Sequence, residues 1–258
     1  MKITILGCGG AAGVPGISMG WGGCDPAEPR NRRLRSSILV ESGSTRILVD
    51  TSPDLREQLL AANIRSLDAV LYTHDHADHL HGLDDLREIN RAMRRSLPVW
   101  ATAKTLETVQ ARFPYAFEPI KDLSGPIFRP LLDPKPISGP FQIDEIAVMP
   151  LDQDHGYCHS LGLRFGNAAY CTDVVAFPPD SFAALRGLDL LIVGCLVDSP
   201  HPTHAHVGRV LEWVEALRPR RTVLTHMGSR LDYQSLRARL PAGVEPAYDG
   251  MVLDVPCP

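Results

Sequence analysis

The sequence predicts an α/β fold in which two layers of sheet are each covered by helices on their outer face. Three observations carry this reading. Short β-branched runs recur along the 258 residues, stretches with helical spacing separate many of them, and each half places its strands first and its strand–helix units later.

The first half opens with KITIL (2–6), where Ile3 and Ile5 alternate with polar neighbours as in a half-buried strand. SSILVE (36–41), TRILVD (45–50) and DAVLY (68–72) follow as strands, with Gly43 and Ser44 supplying a hairpin turn. LREQLLAA (55–62) and LDDLREINRAMRR (83–95) are expected helices, the first capped by Ser52 with Pro53 at its first position. A Pro-rich passage from 113 to 140 reads as a surface insertion. The pattern then restarts: FQIDEIAVM (141–149), LGLRF (161–165) and AAYCT (168–172) as strands, SFAALRG (181–187) as a helix and LDLLIVG (188–194) as a buried strand. A helix near 206–217, the strand TVLTH (222–226) and a helix near 233–239 complete the reading, with residues 1–258 as one domain.

Composition excludes several classes. With 26 basic against 30 acidic residues, no global field draws the protein to nucleic acid or an anionic membrane. The apolar run after Met1 is too short for a signal-peptide core, and no stretch approaches a membrane span of about 18 apolar residues. Six cysteines without C-x-x-C pairing indicate neither a disulfide framework nor a thiolate zinc knuckle, so a reduced, cytoplasmic protein is expected. GCGGAAG (7–13) imitates a dinucleotide fingerprint, but the prolines and glycines of VPGISMGWGGCDP cannot sustain the helix that such a loop must open. It is better read as a glycine loop near the mouth of a site.

All ten histidines lie between 74 and 226. The densest group, THDHADH (73–79), falls where the strand DAVLY ends. Residues two apart on an extended chain point to one side, so His74 and His76 can face one ion, while the turn into the next helix lets Asp78 and His79 face a second. Two ions need further ligands from rigid strand ends, and His155, Asp173 and His226 each sit where an expected strand terminates. Imidazole and carboxylate donors suit zinc, manganese or iron. Asp50, at the end of TRILVD, is placed to take the second N–H of a ligand histidine, and Asp75 could do so locally.

In this order, T-H-x-H-x-D-H, a downstream His, a T-D and a terminal L-T-H resemble the metallo-β-lactamase-fold hydrolases. The resemblance implies an αββα four-layer sandwich, two mixed sheets flanked by helices, with a dinuclear site on one edge. It implies that His74, His76 and His155 hold one divalent metal, that Asp78, His79 and His226 hold the other, and that Asp173 bridges both, with zinc or manganese as the ions. The finer resemblance is to phosphoribosyl 1,2-cyclic phosphate phosphodiesterases. It is carried by ILGCGGAAGVP, RNRRLRSSILV (30–40), VDTSPDLR (49–56), HGLDDLR (81–87) and HPTHAH (201–206) before VLTHM. It implies a phosphoric diester hydrolase of small cyclic or nucleotide-like substrates, with His204 assisting cleavage beside Asp78. His201 and His206 are decoys: Pro202 marks a loop entering a helix with Thr203 or His204 near its cap, and His81 and His159 are bystanders. Those enzymes carry several cysteines in the early loop for an extra structural zinc and a histidine where this chain has Ser229. Cys24 stands alone here, so that zinc is not expected.

Arg33 and Arg35 lie in a basic run that is either a solvated face or a phosphate-capturing one. Competing readings are RNA processing as in tRNA 3′-end nucleases, carbon-ester or lactam hydrolysis, and a non-catalytic metal-binding accessory protein on the same scaffold. A small-molecule phosphodiester is the expected partner. Nucleic acid and membrane are not expected, and a homodimer stays open as the assembly.

Overall fold

The structure is a computed structural model that describes residues 1–119 and 125–256. In chain order its elements are β1 (Lys2–Gly7), β2 (Ser37–Ser42), β3 (Thr45–Val49), α1 (Leu55–Ala61), β4 (Ala69–Leu71), α2 (Ala77–Leu80), α3 (Leu86–Met93), β5 (Leu97–Ala101), α4 (Ala103–Arg112) and β6 (Leu132–Pro136). Then follow β7 (Phe141–Ile143), β8 (Ile146–Asp154), β9 (His159–Phe165), β10 (Ala168–Cys171), α5 (Pro179–Ala184), β11 (Leu190–Gly194), α6 (Val207–Leu217), β12 (Arg221–Thr225), α7 (Tyr233–Arg239), β13 (Val244–Pro246) and β14 (Val252–Asp254).

They form two seven-stranded sheets, ordered β14-β1-β2-β3-β4-β5-β6 and β13-β12-β11-β10-β9-β8-β7. Each sheet is mixed. β1, β2 and β3 pair antiparallel before β4, β5 and β6 add in parallel, and β7 to β10 pair antiparallel before β11, β12 and β13 add in parallel. The strands-first pattern of each half is this switch, because a tight turn can join only antiparallel neighbours and a parallel strand needs a crossover. Alternation along TRILV shows how the layers are filled. Ile47 and Val49 point into a core shared with Leu163, Phe165 and Ile192 of the second sheet. Leu48 points the other way, toward Leu55 and Leu59 of α1 and Ile89 of α3. The α/β sandwich of two mixed sheets flanked by helices is thus the observed fold. Among the described residues no helix is long and apolar enough to cross a membrane.

Several local expectations are corrected. Helix α1 begins at Leu55 with Asp54, not Ser52, in the cap position, and Pro53 stays outside, because the Ser52 hydroxyl accepts from the Asp54 N–H instead. FQIDEIAVM is a hairpin rather than one strand: Phe141 faces Val148 and Ile143 faces Ile146 across a turn with Asp144 at φ 47°. Aspartate tolerates that left-handed conformation better than the apolar residues around it. The Pro-rich passage is not wholly an insertion, since Leu132–Pro136 is the edge strand β6, a place where a missing N–H costs nothing. Residues 120–124 of that passage lie outside the described residues. The cap of α6 is His206, whose ring accepts from the Arg209 N–H, in place of Thr203 or His204.

Candidate metal centre

Five strands of the two sheets end along one edge of the sandwich, and the candidate residues follow those ends. Asp50 follows β3, Thr73 and His74 follow β4, His155 follows β8, Asp173 follows β10, and His226 follows β12 directly. At Asp50, Asp173 and His226 the backbone turns through positive φ, at 63°, 47° and 54°. Non-glycine residues enter this region at a cost, and sharp turns of this kind concentrate at sites where a side chain must be aimed. Asp78 and His79 ride on the short helix α2, held to β3's end by the Thr51 N–H donating to the His79 carbonyl at 2.7 Å.

Two groups of side chains result. His74, His76, His155 and Asp173 each offer a ligand atom to one cluster, and Asp78, His79, Asp173 and His226 to a second, with the atoms of each within 4.8 Å of one another. Asp173 belongs to both: its Oδ2 lies 3.7 Å from His74 Nε2 and 3.4 Å from His155 Nε2, while its Oδ1 lies 3.2 Å from both His79 Nε2 and His226 Nε2. Apart from His76, which is exposed, and Asp78, which is partly exposed, these residues are buried.

The outer hydrogen bonds explain which ring nitrogen faces inward. His79 Nδ1 donates to Asp50 Oδ2 at 2.8 Å, His155 Nδ1 donates to the Thr203 carbonyl at 2.7 Å, and His74 Nδ1 lies 3.0 Å from the Thr73 hydroxyl, which itself donates to Asp50. Each leaves Nε2 turned to the site as a lone pair, the tautomer a cation requires. His74 Nε2 and His79 Nε2 are buried with no hydrogen-bond partner. Buried polar atoms are seldom left so. An imidazole and carboxylate set with orphaned, inward-facing nitrogens fits divalent cations.

Charge points the same way. Burial works to raise the Asp173 carboxyl, but His226, His79 and a hydrogen bond from His204 hold it well below the usual carboxylate range. Against burial, which lowers it, the Asp173, Asp78 and Asp50 carboxylates drive the His79 imidazole well upward. Burial and the nearby His79 push His74 the opposite way, toward its neutral form. The pocket thus attracts positive charge at its centre.

His204 stands at the wall of the same cavity. Its Nε2 is 3.3 Å from Asp173 Oδ2, its Nδ1 2.8 Å from the Thr203 hydroxyl, and its ring stacks on His226 with centroids 5.1 Å apart. Three other histidines are engaged elsewhere: His201 Nδ1 faces the Thr203 N–H, His206 caps α6, and His81 packs edge-on against Phe113. Asp75 does not serve a histidine, since Arg112 takes its carboxylate and carbonyl. Arg33 and Arg35 are neither a solvated face nor free for phosphate. Arg33 is 1% exposed and donates to the Gly228 and Leu231 carbonyls and to Asn31, while Arg35 pairs with Asp54. The glycine loop does border the site, through Ala11.

Sequence reasoning missed Tyr157, Cys158, Thr203 and Leu196, which also line the cavity of about 370 Å³. Cys158 Sγ lies 3.8 Å from His76 Nε2. The one available signal was that Tyr157 and Cys158 stand in the turn directly after His155.

A sandwich of this topology with paired His and Asp clusters along one edge defines a metallo-hydrolase fold. Residues 45–227 match the family of the beta-lactamase superfamily domain, and the chain belongs to this superfamily as a metallo-β-lactamase-fold hydrolase near the PhnP family. A crystal structure titled as a new diphosphatase from the PhnP family is 34% identical, with TM-score 0.88, covering 99% of this chain and 98% of that one. A Porphyromonas gingivalis protein named octanoyltransferase is 33% identical over 254 residues, which span 97% of this chain but 51% of that protein. A ribonuclease Z from a Bradyrhizobium species is 40% identical over 79 residues, 30% of this chain and 26% of that relative. The chain therefore spans about half, or less, of the length of these curated relatives.

Proposed function

We propose that the chain is a metal-dependent phosphoric diester hydrolase acting on a small cyclic or nucleotide-like phosphodiester, with zinc or manganese at both ligand clusters. The observation that carries this reading is the sharing of Asp173 by two four-residue groups, with His204 Nε2 3.3 Å from the same carboxylate. Two divalent cations held by these residues would supply an activated water and a charge clamp on the phosphoryl oxygens.

The chain's own residues do the rest. Asp50, Thr73 and the Thr203 carbonyl hold three of the five ligand imidazoles, those of His79, His74 and His155, with Nε2 inward. Asp78, 12% exposed and lining the cavity, keeps its carboxylate ionised beside His79 and His226, as a ligand must be. His204, fixed by the Thr203 hydroxyl and the His226 ring, presents Nε2 to the open cavity, where it can hold a proton for the leaving oxygen. The similarity to a diphosphatase favours a second reading, cleavage of a diphosphate bridge, which asks the same of these residues.

The test is a panel of bis(p-nitrophenyl) phosphate, a cyclic nucleotide and a dinucleoside diphosphate, with an ester and a lactam as controls. It is assayed with metal-stripped protein reconstituted with zinc and with manganese. Turnover of a phosphorus substrate that falls by about 10²–10⁴-fold in His204→Ala is expected. Ester or lactam turnover alone, or an undiminished His204→Ala, contradicts the proposal.

A further inference from the structure

The five candidate ligand imidazoles do not all face the site in the same way. His74, His79, His155 and His226 each turn Nε2 toward the Asp173 carboxylate, at 3.7, 3.2, 3.4 and 3.2 Å. His76 is reversed. Its Nδ1 lies 3.3 Å from His155 Nε2, and its Nε2 points the other way, where Cys158 Sγ lies 3.8 Å off. His155 Nε2 carries no proton, because Nδ1 of that ring donates to the Thr203 carbonyl. Two ring nitrogens facing each other at this distance suit two ligands converging on one cation, which leaves the His76 proton on Nε2. His74 Nε2, buried without a hydrogen-bond partner in the same four-residue cluster, marks the place of that cation.

The backbone explains the reversal. His76 is extended, at φ −67° and ψ 149°, directly before α2, and it is the exposed member of its cluster. Nδ1 is the ring nitrogen nearer the main chain, so turning it inward sends Nε2 out to the rim of the cavity. The outer nitrogens of His74, His79 and His155 meet oxygen, whereas that of His76 meets sulfur.

The sulfur is held in place from its own side. Cys158 closes the turn between β8 and β9, with its carbonyl accepting from the His155 N–H at 3.0 Å and the Gly156 N–H donating to Asp154 Oδ1 at 2.7 Å. Gly156 has φ 79°, and a Cβ there would lie 2.7 Å from the Pro202 carbonyl oxygen, so the turn sits tight against the segment that holds His155 Nδ1. One bonded turn therefore presents both a ligand, His155, and the thiol behind another, His76. Cys8, Cys24, Cys171 and Cys195 are buried, while Cys158 is half-buried and lines the cavity.

We propose that Cys158 is a positioning residue for the metal centre. Its sulfur accepts from His76 Nε2–H and keeps Nδ1 aimed at the ion of the His74, His76, His155 and Asp173 cluster, so that modifying this thiol loosens that ion and leaves the other in place. The inference rests on the reading that both clusters hold ions and is independent of the bond that the site cleaves.

Cobalt(II) titrated into the metal-stripped chain against a competing chelator reads the affinity of each equivalent, and its spectrum reads the donor atoms. The native chain should bind two equivalents with no sulfur-to-cobalt charge-transfer band in the near ultraviolet. In Cys158→Ala one equivalent should bind about tenfold more weakly, the lower end of what loss of an outer partner costs, and the other as before. Cys158→Ser, which keeps an acceptor, should recover part of the loss. Methyl methanethiosulfonate transfers its methylthio group to Cys158 Sγ, with methanesulfinate and the thiol proton leaving. It should weaken the same equivalent, a reductant should restore it, and Cys158→Ala should not respond. Melts of the metal-free variants establish that they are folded. A charge-transfer band in the native chain would make Cys158 a ligand itself and overturn the proposal, as would native affinity in Cys158→Ala or an equal loss at both equivalents. A native chain that binds no cobalt would overturn the two-ion reading and this inference with it.

Discussion

Asp50→Asn should cost metal affinity without unfolding the chain. Asp50 is fully buried and accepts three hydrogen bonds: from the Thr73 N–H at 2.8 Å, the Thr73 hydroxyl at 2.9 Å and His79 Nδ1 at 2.8 Å. The Thr73 N–H sits on Oδ1, so the asparagine carbonyl must take that place and its NH₂ must replace Oδ2. That NH₂ then faces His79 Nδ1, which can answer only by becoming an acceptor. The imidazole proton moves to Nε2, the atom that faces Asp78 and Asp173, and the ring can no longer offer a lone pair to a cation. Loss of one hydrogen bond to a charged group is worth about 1.5–3 kcal/mol. A lost carboxylate partner behind a ligand histidine weakens metal binding by about 10–100-fold, or about 1.4–2.7 kcal/mol, so the two estimates agree. Zinc or manganese titration against a chromophoric chelator measures the loss, with circular dichroism as the folding control. A folded Asp50→Asn that binds metal with native affinity would refute the orienting role.

Three further outcomes follow from the packing. Gly82→Ala would place a Cβ 1.9 Å from the Ser52 carbonyl oxygen, a backbone atom, and should lower stability in urea unfolding by about 2–3 kcal/mol. It should also disturb His79, since Thr51 holds both the Gly82 N–H and the His79 carbonyl. Arg33→Met leaves the Leu231 carbonyl and Asn31 without their guanidinium donor and should cost about 2–4 kcal/mol, read as a fall in the urea midpoint. Removing metal with a chelator should lower the melting temperature. An ion at a hundredfold excess over its Kd contributes about 2.7 kcal/mol, equivalent to about 5–10 °C for a chain of this size. An unchanged melt would show that these clusters hold no ion.

The sequence makes the candidate ligands legible because each ends a strand or opens the short helix after one. Spacing of two along an extended segment shows that His74 and His76 share a side without any knowledge of the fold. The remaining contacts arise only when distant segments meet. The Thr203 carbonyl reaches His155 across 48 residues, and nothing local in either segment announces it. Arg33 was hidden differently. In RNRRLR the buried Asn31 and Arg33 flank the exposed Arg32, an alternation that the uniform charge conceals. Of the unread strands, LDPKP, VEP and VLD are short and polar or Pro-rich, and register with a neighbour is what makes them strands, while the apolar LPVWA of β5 was passed over as well. The α1 cap was misplaced because Ser52 bonds Asp54 locally, a competition that a list of cap-forming residues does not resolve.

The central claim is that two ions, shared through Asp173, enable cleavage of a phosphodiester. It is tested most directly by titrating metal into the stripped chain while following bis(p-nitrophenyl) phosphate hydrolysis. The rate should climb to a plateau at about two equivalents per chain, as a paired site requires. A plateau at one equivalent, or no hydrolysis at any loading, would contradict it.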